Sequence, residues 1–406
     1  MEFEEIRKII YSGTKEEKEN LRDYFKKYGN TYDKEVEVHE ILVNILLKLT
    51  KKERILLSGI IGYPVFLRIC LMPKIRHKFP LLQDGAALIL LDAEDNILVQ
   101  QRMDNGKYGF SGGCQELGEE LTDVAIRECY EEAGLLLDKD KIIDVCEVSG
   151  LSRRNSYPNG DVVVNNTALH IGYVTDCTGS LKKDYESKEV SFKTLLFLEN
   201  LPEDQKHEKD FISIVKMYLA GNVERLKQPL IENIELPNQG NLSFVDYLEL
   251  LTPNQALVLA KKMGYVNFLK SSLDVRIKNI FPHLVDKSIL IAIKGNEVLV
   301  TTDNSLPKTI QSVGESFEDS LSSKYGLNND NLNLEIRISG SNWYIDEENA
   351  FINGMIFSPI EPIVSNECLR YIGLEEVKKV LNSEDLRYLE EYLSKSKINQ
   401  KTSKLK

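Results

Sequence analysis

The chain lacks several features that would assign it to a simple class. Its six cysteines are scattered over 406 residues, with no CxxC pair and no clustered histidines. This usage argues against a disulfide framework or a zinc site and favours free thiols in a reducing compartment. There is no basic excess, because the net charge is −12. A surface for a nucleic-acid duplex is therefore disfavoured, since phosphate binding needs basic side chains.

Long apolar segments are also scarce. The most hydrophobic run, residues 55–72, contains Pro64 and Arg68. The first ten residues, MEFEEIRKII, are acidic and amphipathic, so no signal peptide is expected. The rest of the composition is ordinary, with 42% hydrophobic and 28% charged residues. We therefore expect a cytoplasmic globular protein that makes no membrane contact.

The pattern of apolar residues divides the first half of the chain in two. In EIRKII, KENLRDYFKKYG and VEVHEILVNILLKLT, apolar residues recur three and four positions apart, which predicts a helical lead-in over 1–80. From Asp84 onward, apolar runs joined by turn sequences indicate strands. A helix over 204–219 closes this region, and we place a domain at 81–222.

One stretch of that domain, GCQELGEELTDVAIRECYEEAGL at 113–135, is rich in carboxylates. If 122–132 is helical, Glu128, Glu131 and Glu132 share one face about one turn apart. Carboxylates so close repel one another, and a hard divalent cation such as magnesium would relieve the repulsion. The simpler interpretation is a solvated acidic helix face.

The stretch resembles the Nudix box, G-x5-E-x7-R-E-U-x-E-E-x-G-U, in which U is a bulky aliphatic residue. The matching positions are Gly113, Glu119, Arg127, Glu128, Glu131, Glu132, Gly134 and Leu135. So many fixed offsets disfavour the simpler interpretation. There are two departures: Cys129 occupies a U position, and Ser111 stands where the family commonly has a proline. The loss of proline should loosen the loop but removes no ligand.

The resemblance implies an α+β fold, a Nudix α/β/α sandwich with a mixed sheet. It also implies a hydrolase that cleaves a pyrophosphate bond in a nucleoside diphosphate linked to another moiety, using Mg²⁺ or Mn²⁺. The implied metal ligands are Glu128, Glu131, Glu132, Glu119 and the backbone carbonyl of Gly112. Glycine at 112 would permit unusual backbone angles and a close approach to the ion.

The resemblance also implies residues that act in catalysis. Glu131 and Glu128 would act directly, and Arg127 would pair with Glu119 or orient Glu128 instead of touching the substrate. Many family members recruit a further carboxylate from the loop before the last strand, which here reads DYESKEVSF. Glu186 is our candidate for this metal ligand or general base, with Glu189 next. A charged surface loop is an equally good interpretation of either residue.

Candidate substrate contacts lie in two loops. Arg102 precedes the loop that leads into the box, and Arg153, Arg154 and Tyr157 belong to the connector RRNSYPNGD. An arginine could pair with phosphate, and a tyrosine could stack on a base. The alternative is a simple turn whose arginines contact only water, because Tyr-Pro-Asn-Gly is a turn sequence.

The second half of the chain repeats the first. Three pairs recur at an offset of 202: Gly62-Tyr63 as Gly264-Tyr265, Phe66-Leu67 as Phe268-Leu269, and Phe79-Pro80 as Phe281-Pro282. FSGGCQELGEE at 110–120 aligns without gaps to LPKTIQSVGES at 306–316. We therefore predict the fold twice. The second helical lead-in would span 223–282, a degenerate Nudix-like domain 283–393, and a flexible tail 394–406. The counterpart of residues 55–72, ALVLAKKMGYVNFLKSSL, has interleaved polar residues that fit an amphipathic soluble helix. A shared fold therefore places residues 55–72 in a protein core or interface, not in lipid.

The second box has lost its ligands. From Glu315 to Gly326 the interval is eleven residues, against fifteen from Glu119 to Gly134, and four residues make about one helical turn. We predict that the missing turn is the one that carried the ligands, with Ser322, Ser323 and Lys324 in its place. Lys308-Thr309 also replaces the paired glycines. The second domain is predicted to be catalytically inactive.

Two functions remain open at this point. The first is a metal-dependent hydrolase of a small nucleotide such as a sugar nucleotide, a dinucleotide or a nucleoside triphosphate. Its second domain would provide a partner surface or a substrate lid, in a homodimer or in a pseudo-dimer of the two copies within one chain. The second is a nucleotide sensor or regulatory scaffold that uses the fold for binding alone. Turnover on a nucleotide panel would distinguish them.

Overall fold

A computed structural model represents the chain. The residues that it describes are 3–29, 35–149, 153–156, 162–221, 234–311 and 315–403. The chain divides into two compact units, the first formed by Met1–Met263 with Asn267–Phe281 and the second by Gly264–Val266 with Pro282–Lys406. Within the described ranges, no helix is both long enough and apolar enough to cross a membrane. All six cysteines are free.

Five helices open the first unit. They are α1 (Phe3–Ser12), α2 (Lys15–Gly29), α3 (Glu35–Lys48), α4 (Lys51–Ile61) and α5 (Tyr63–Cys70). Their apolar faces are buried, as at Ile6 and Ile9 of α1. A capping box begins α4, in which the Thr50 side chain accepts from the Glu53 N–H and the Glu53 carboxylate accepts from the Thr50 N–H. Gly62, with φ of 93°, separates α4 from α5 in a conformation that side chains disfavour.

A sheet and three helices follow in the first unit. The strands are β1 (Pro80–Leu91), β2 (Ile97–Arg102), β3 (Tyr108–Gly109), β4 (Ser111–Cys114), β5 (Leu135–Leu137), β6 (Ile143–Val148), β7 (Arg154–Ser156), β8 (Val162–Tyr173), β9 (Cys177–Gly179) and β10 (Ser187–Lys193). The helices are α6 (Leu121–Ala133), α7 (Leu195–Asn200) and α8 (Lys209–Leu219).

The central sheet is mixed and has the order β10-β2-β1-β8-β6. β1 and β8 run parallel in a register that pairs Pro80 with Val162 and Leu91 with Tyr173, while the other neighbours are antiparallel. β4 pairs with β1 along the edge away from β8. One face of the sheet packs against α6 and the opposite face against α8, as the two buried clusters show. A sheet between two helical layers is the predicted α/β/α arrangement.

Three more helices follow the first sheet. They are α9 (Phe244–Leu250), α10 (Pro253–Met263) and α11 (Tyr265–Ser272). They correspond to the lead-in that we predicted at 223–282 as part of the second unit. Residues up to Met263 and residues Asn267–Phe281 instead cluster with the first unit.

Contacts made by Asn267–Phe281 occur in pairs. Phe66 stacks on Phe281 with ring centroids 5.3 Å apart, and Phe79 stacks on Phe268 at 5.2 Å. Phe268 and Phe281 lie 202 positions after Phe66 and Phe79. Phe66 therefore stacks on the counterpart of Phe79, and Phe79 stacks on the counterpart of Phe66. This reciprocity is the signature of a two-fold relation between the segments.

The backbone of the same segments is paired in the same way. Leu71 forms an antiparallel bridge with Leu273, its own counterpart at the offset of 202. The Met72 N–H donates to the Ser272 carbonyl at 2.9 Å, and the Asp274 N–H donates to the Cys70 carbonyl at 3.4 Å. At the offset of 202, the donor of one bond is the counterpart of the donor of the other, and the two acceptors are counterparts as well. The local two-fold axis therefore passes close to Leu71 and Leu273.

The second unit contains a smaller set of elements. Its strands are β11 (His283–Leu290), β12 (Ile293–Lys294), β13 (Glu297–Thr301), β14 (Lys308–Ile310), β15 (Leu332–Ile338), β16 (Tyr344–Ile345), β17 (Ala350–Pro359) and β18 (Leu369–Gly373). Its helices are α12 (Phe317–Tyr325), α13 (Leu374–Val380) and α14 (Ser383–Ser403). The tail predicted to be flexible from 394 is therefore helical through Ser403, where it continues α14.

The strand pairing of the first unit recurs in the second. β11 runs parallel to β17, β14 is antiparallel to β11, and β15 is antiparallel to β17. β1 has the same relations with β8 and β4, and so does β8 with β6. The units differ at β13, which joins β12 and β18 in a separate three-stranded sheet.

Candidate active site

Helix α6 carries the box carboxylates in different surroundings: Glu132 is buried, Glu128 is partly buried, and Glu131 faces solvent. Val124, Ala125 and Cys129 are fully buried against the sheet. Asp123 in the first turn complements the helix dipole. The helix ends at Gly134, whose φ of 74° is left-handed and whose N–H donates to the Tyr130 carbonyl.

The two glycines before the box bring β4 close to α6. A Cβ on Gly113 would lie 2.2 Å from Glu128 Oε1, and one on Gly112 would lie 2.7 Å from the Ala86 carbonyl oxygen. Both positions therefore exclude a side chain. Neither glycine has a positive φ, so the expectation of unusual backbone angles at Gly112 is wrong. Close approach is the reason for glycine there.

Glu132 and Glu128 are held against this glycine strand. Glu132 is only 8% exposed, and its Oε2 accepts from the Gly112 N–H at 3.2 Å. Burial raises the pKa of Glu132 to about 8, and the nearby Glu128 and Asp184 act in the same direction. Burial also raises the pKa of Glu128, although Arg127 opposes this. Two buried acids side by side are costly to ionise without a cation.

Arg127 connects the loop and the helix. Its Nε donates to Glu119 Oε1 at 2.8 Å, its Nη1 donates to Glu128 Oε1 at 2.6 Å, and its Nη2 donates to the Cys114 carbonyl at 3.2 Å. Burial alone would lower the pKa of Arg127, but Glu119 and Glu128 outweigh burial and raise it. Arg127 thus contacts both of the residues named for it from the sequence.

Glu131 faces solvent, with its side chain 60% exposed and one oxygen 3.5 Å from Arg127 Nη1. The box carboxylates are not drawn together as a compact ligand set. Across the described ranges, the acidic and imidazole groups with ligand atoms all within 4.8 Å are His39, Glu40 and Asp274. The Arg276 guanidinium donates to both of those carboxylates. This cluster is therefore already neutralised by a fixed cation.

The loop before β10 approaches the same face. Burial lowers the pKa of Arg102, yet Asp104, Glu132 and Glu186 together raise it. Arg102 is thus near both Glu132 and Glu186, while its own hydrogen bonds go to Asp104 at 3.0 and 3.2 Å. Asp184, which the sequence did not single out, also lies close enough to act on Glu132.

Glu189 is differently occupied. Its Oε1 accepts from the Ser191 hydroxyl at 2.6 Å and from Lys193 Nζ at 2.9 Å. These bonds, with Ser191 first, lower the pKa of Glu189. Both of these partners lie on the strand that carries Glu189, β10.

Residues of the connector are used by the protein itself. Arg153 lies over the Phe211 ring at 4.9 Å, 3.7 Å from Glu208 Oε1, with its side chain only 11% exposed. Arg154 donates to Asn254. Both guanidinium groups that we named as candidate substrate contacts therefore have protein partners. Tyr157 lies outside the described residues.

Two further polar residues belong to the site and were not foreseen. Gln100 is 4% exposed and hydrogen-bonds Glu132, while its Oε1 accepts from the Ser187 hydroxyl at 2.6 Å. Ser187 is fully buried. The only sequence signal was a polar residue at an inward strand position in ILVQQR. The atoms that Glu132 and Glu128 themselves offer to a cation are carboxylate oxygens, the ligand type that Mg²⁺ and Mn²⁺ prefer.

The second unit has the same frame with other side chains. α12 also ends at a left-handed glycine, Gly326, with φ of 65°. β14 pairs Lys308 with Ile289, as β4 pairs Gly112 with Ala87. The Gln311 N–H donates to the Asp286 carbonyl at 2.8 Å, as the Gln115 N–H does to Asp84. The residues that face α12 are thus equivalent to those that face α6.

Counting back from the two capping glycines identifies the equivalent helix positions. Lys324 corresponds to Glu132, and Ser320 corresponds to Glu128. Lys324 Nζ donates to the Lys308 carbonyl at 2.8 Å, and the Ser320 hydroxyl donates to the Thr309 hydroxyl at 3.1 Å. Helix α12 has 9 residues against 13 in α6, and its last turns carry Ser320, Ser323 and Lys324. That the ligand-bearing turn was deleted stays a prediction.

Several solved structures resemble this chain at low identity. The MutT protein from Methanosarcina mazei Go1 is 19% identical, with 34% of this chain and 96% of that chain covered and a TM-score of 0.28. The NUDIX domain of Shewanella oneidensis NrtR, complexed with ADP ribose, is 18% identical, with 35% and 90% covered and a TM-score of 0.28. A C. elegans Ap4A hydrolase is 16% identical, with 34% and 96% covered and a TM-score of 0.27.

No curated protein matches the chain. The model of one family, described as NUDIX domain, matches residues 81–213. The matched range contains the mixed sheet, α6 and the glycine strand β4. Residues 81–213 are therefore similar to the NUDIX domain family.

Proposed function

We propose that this Nudix domain is a metal-dependent hydrolase of a pyrophosphate bond in a small nucleotide. The observation that carries the proposal is the pair Glu128 and Glu132, buried against the backbone of Gly112 and Gly113. Two buried carboxylates with raised pKa values destabilise a protein that does not compensate their charge. A divalent cation supplies that compensation, and the surrounding oxygen donors suit Mg²⁺ or Mn²⁺.

Each residue then has a defined task. Glu128, Glu132 and the Gly112 carbonyl hold the metal, with Glu131 completing the set from the solvent side. Arg127 fixes the direction of Glu128 and ties it to Glu119, so Glu119 supports the ligands instead of binding the ion. Bound metal would polarise the phosphate and orient a water for attack.

The loop before β10 supplies the remaining groups. Glu186, close to Arg102, accepts the proton of the attacking water at a carboxylate oxygen. Asp184 is a second carboxylate available in that loop. Arg102 contacts a substrate phosphate, for which it exchanges its hydrogen bonds to Asp104. Arg153 and Arg154 have no part in this scheme.

The test uses full-length protein with Mg²⁺ or Mn²⁺ and a panel of sugar nucleotides, dinucleotides and nucleoside triphosphates. Released phosphate is measured after phosphatase coupling. We expect Glu132→Gln or Glu131→Gln to lower turnover by about 10²-fold or more. Glu120→Gln is the matched control, because Glu120 is exposed just before α6 and pairs with Lys139. Undiminished turnover in the Glu132 variant contradicts the assignment. Tight binding without turnover would favour the sensor.

We also propose that the chain arose by duplication and that its second unit is inactive. Support comes from the recurrent strand pairing, the equivalent Gln115 and Gln311 hydrogen bonds, and the loss of every carboxylate that faces Gly112 and Gly113. The reciprocal contacts of Phe66 with Phe281 and of Phe79 with Phe268, all within the first unit, support the duplication as well. A cytoplasmic location accords with six free cysteines.

A further inference from the structure

The second unit carries a positive charge where the first carries a negative one. Glu132 accepts a hydrogen bond from the backbone of Gly112, and its equivalent Lys324 donates one to the backbone of Lys308. The two backbone positions have the same register against β1 and β11. In the proposed scheme, the Gly112 carbonyl is a metal ligand. The Lys324 ammonium therefore occupies the place of the metal.

The surroundings of Lys324 leave this charge available. Lys324 is exposed, and it forms no ion pair with any residue in the described ranges. An ammonium has three N–H donors, and the Lys308 carbonyl accounts for one of them. Its neighbour Lys308 is different, because its Nζ is bound to Asp385 and lies 3.7 Å from Glu384.

The hydroxyl groups beside the ammonium are already bonded within the protein. The Tyr325 hydroxyl donates to the Lys308 carbonyl and accepts from the Lys308 N–H, and the Ser320 hydroxyl donates to the Thr309 hydroxyl at 3.1 Å. Partial burial lowers the pKa of Lys324, with Lys308 adding to the effect and Asp303 opposing it. A charge that its surroundings stabilise poorly gains from an anionic ligand.

We propose that the second unit binds a phosphate-bearing anion through Lys324 without a divalent metal. In the first unit, carboxylates reach phosphate only through a cation. In the second, the ammonium contacts phosphate directly, through the N–H groups that the Lys308 carbonyl leaves open. The ligand class is a pyrophosphate or polyphosphate group, either free or as part of a nucleotide. This binding does not depend on hydrolysis by the first unit.

The test is calorimetric titration of the full-length protein with inorganic tripolyphosphate in excess EDTA. We expect saturable binding by the wild type and a loss of at least about tenfold in affinity for Lys324→Met, because a hydrogen bond to a charged group is removed. Lys324→Arg keeps the charge and should keep most of the affinity. Lys294→Met is the matched control, because both lysines lie over a tyrosine ring in the same unit, Lys324 over Tyr325 at 5.3 Å and Lys294 over Tyr371 at 5.9 Å.

Three results would overturn the proposal. One is the absence of binding by the wild type in EDTA. Another is binding that Lys324→Met leaves unchanged while its melting temperature matches that of the wild type. The third is binding abolished by Arg102→Met and not by Lys324→Met, which would place the anion in the first unit. Repeating the titration with ADP in place of tripolyphosphate separates a nucleotide ligand from free polyphosphate.

Discussion

Helices α6 and α12 offer a controlled comparison inside one molecule. Both follow a short strand that pairs with a long buried one, and both end at a left-handed glycine. At the equivalent position, two residues before that glycine, one has Glu132 and the other Lys324. The backbone frame survives this reversal of charge. What changes is the sign of the charge at this position, and with it the class of ligand that we propose for each unit.

The comparison separates scaffold from chemistry. Cys129 and its equivalent Leu321 are both fully buried, so the inner face of the helix keeps its packing role in both units. The three positions that hold Glu128, Glu131 and Glu132 in the first unit hold Ser320, Ser323 and Lys324 in the second, counted back from the capping glycines. Substitutions that exchange residues between α6 and α12, or between the two lead-ins, test how closely these segments correspond.

The largest effect is expected from copying the second unit into the first. Glu132→Lys should reduce metal-dependent turnover to background, about 10²-fold or more, because the ammonium takes the place of the ion. Mn²⁺ binding followed by electron paramagnetic resonance should disappear in parallel. Asp140→Lys makes the same charge change at an exposed position and should leave both readouts intact. Retained Mn²⁺ binding in Glu132→Lys would show that Glu132 is not a ligand.

The reverse conversion should create a site. In the Glu132→Lys background, Ser320→Glu with Ser323→Glu and Lys324→Glu places three carboxylates at the equivalent positions of α12. We expect Mn²⁺ binding to reappear, weakly, because Thr309 crowds the position that Gly113 leaves open. Adding Thr309→Gly should tighten it. If neither variant binds Mn²⁺, the equivalence of the two helices does not extend to the ligand geometry.

A third comparison concerns the two lead-ins. Phe66→Ala and Phe268→Ala remove residues that are equivalent under the offset of 202, and both side chains are fully buried. Each should cost about 3–5 kcal/mol in the free energy of unfolding. Chemical denaturation measures both, with Leu196→Ala as a control, because Leu196 is 66% exposed. A cost that is large for one and negligible for the other would break the two-fold relation.

The pH dependence of metal-free stability should distinguish Glu132 from Glu131. Glu132 has an ordinary pKa of 4.5 and a folded pKa of about 8. Between these values the unfolded chain has released the proton that folded Glu132 retains, so stability is lost as the pH rises from 4.5 through about 8. The loss is on the order of a few kcal/mol.

Thermal melts in EDTA from pH 5 to pH 8 test this expectation. Glu132→Gln should flatten the decline, and Glu131→Gln should not, because Glu131 is largely exposed. Glu116, whose pKa burial raises to about 7, leaves a residual slope of the same sign. An unchanged slope in Glu132→Gln would contradict the burial argument.

The smallest effect tests the link between the lead-in and the box. Glu116 Oε2 accepts from the Tyr63 N–H at the start of α5, at 3.0 Å, and the Glu116 N–H donates to Glu119. Glu116→Ala should weaken Mn²⁺ binding several-fold, since a lost hydrogen bond costs about 1 kcal/mol. Glu116→Gln retains an acceptor and should restore most of the affinity. Equal loss in both variants would point to the charge of Glu116 instead.

Much of this organisation was readable from the sequence because it depends on local spacing. The apolar periodicity predicted the lead-in helices, and the fixed offsets of the box indicated which carboxylates share a face of α6. Long-range packing was not readable. Arg153 was expected near substrate, but the Phe211 ring that covers its guanidinium lies in a distant helix. Gln100 and Ser187 meet only because β2 and β10 are neighbours.

The position of the deletion in the second box illustrates the same limit. A gap of four residues can be placed at either end of a helix without changing the count. Counting forward from Gln115 and Gln311 and counting back from the capping glycines give different pairings, and Leu321 is buried under either. The contacts of Lys324 and Ser320 with β14, which the spacing does not contain, favour the count from the glycines.

The reciprocal contacts around Leu71 and Leu273 have a consequence for how the protein responds to dilution. Two free subunits that met through such a surface would separate once their concentration fell below the dissociation constant. Within one polypeptide the encounter is intramolecular, and a tether of this kind supplies an effective concentration on the order of millimolar. The contacts that hold the end of α5, and through Glu116 the loop before α6, are therefore equally present in a crowded cell and in a dilute assay.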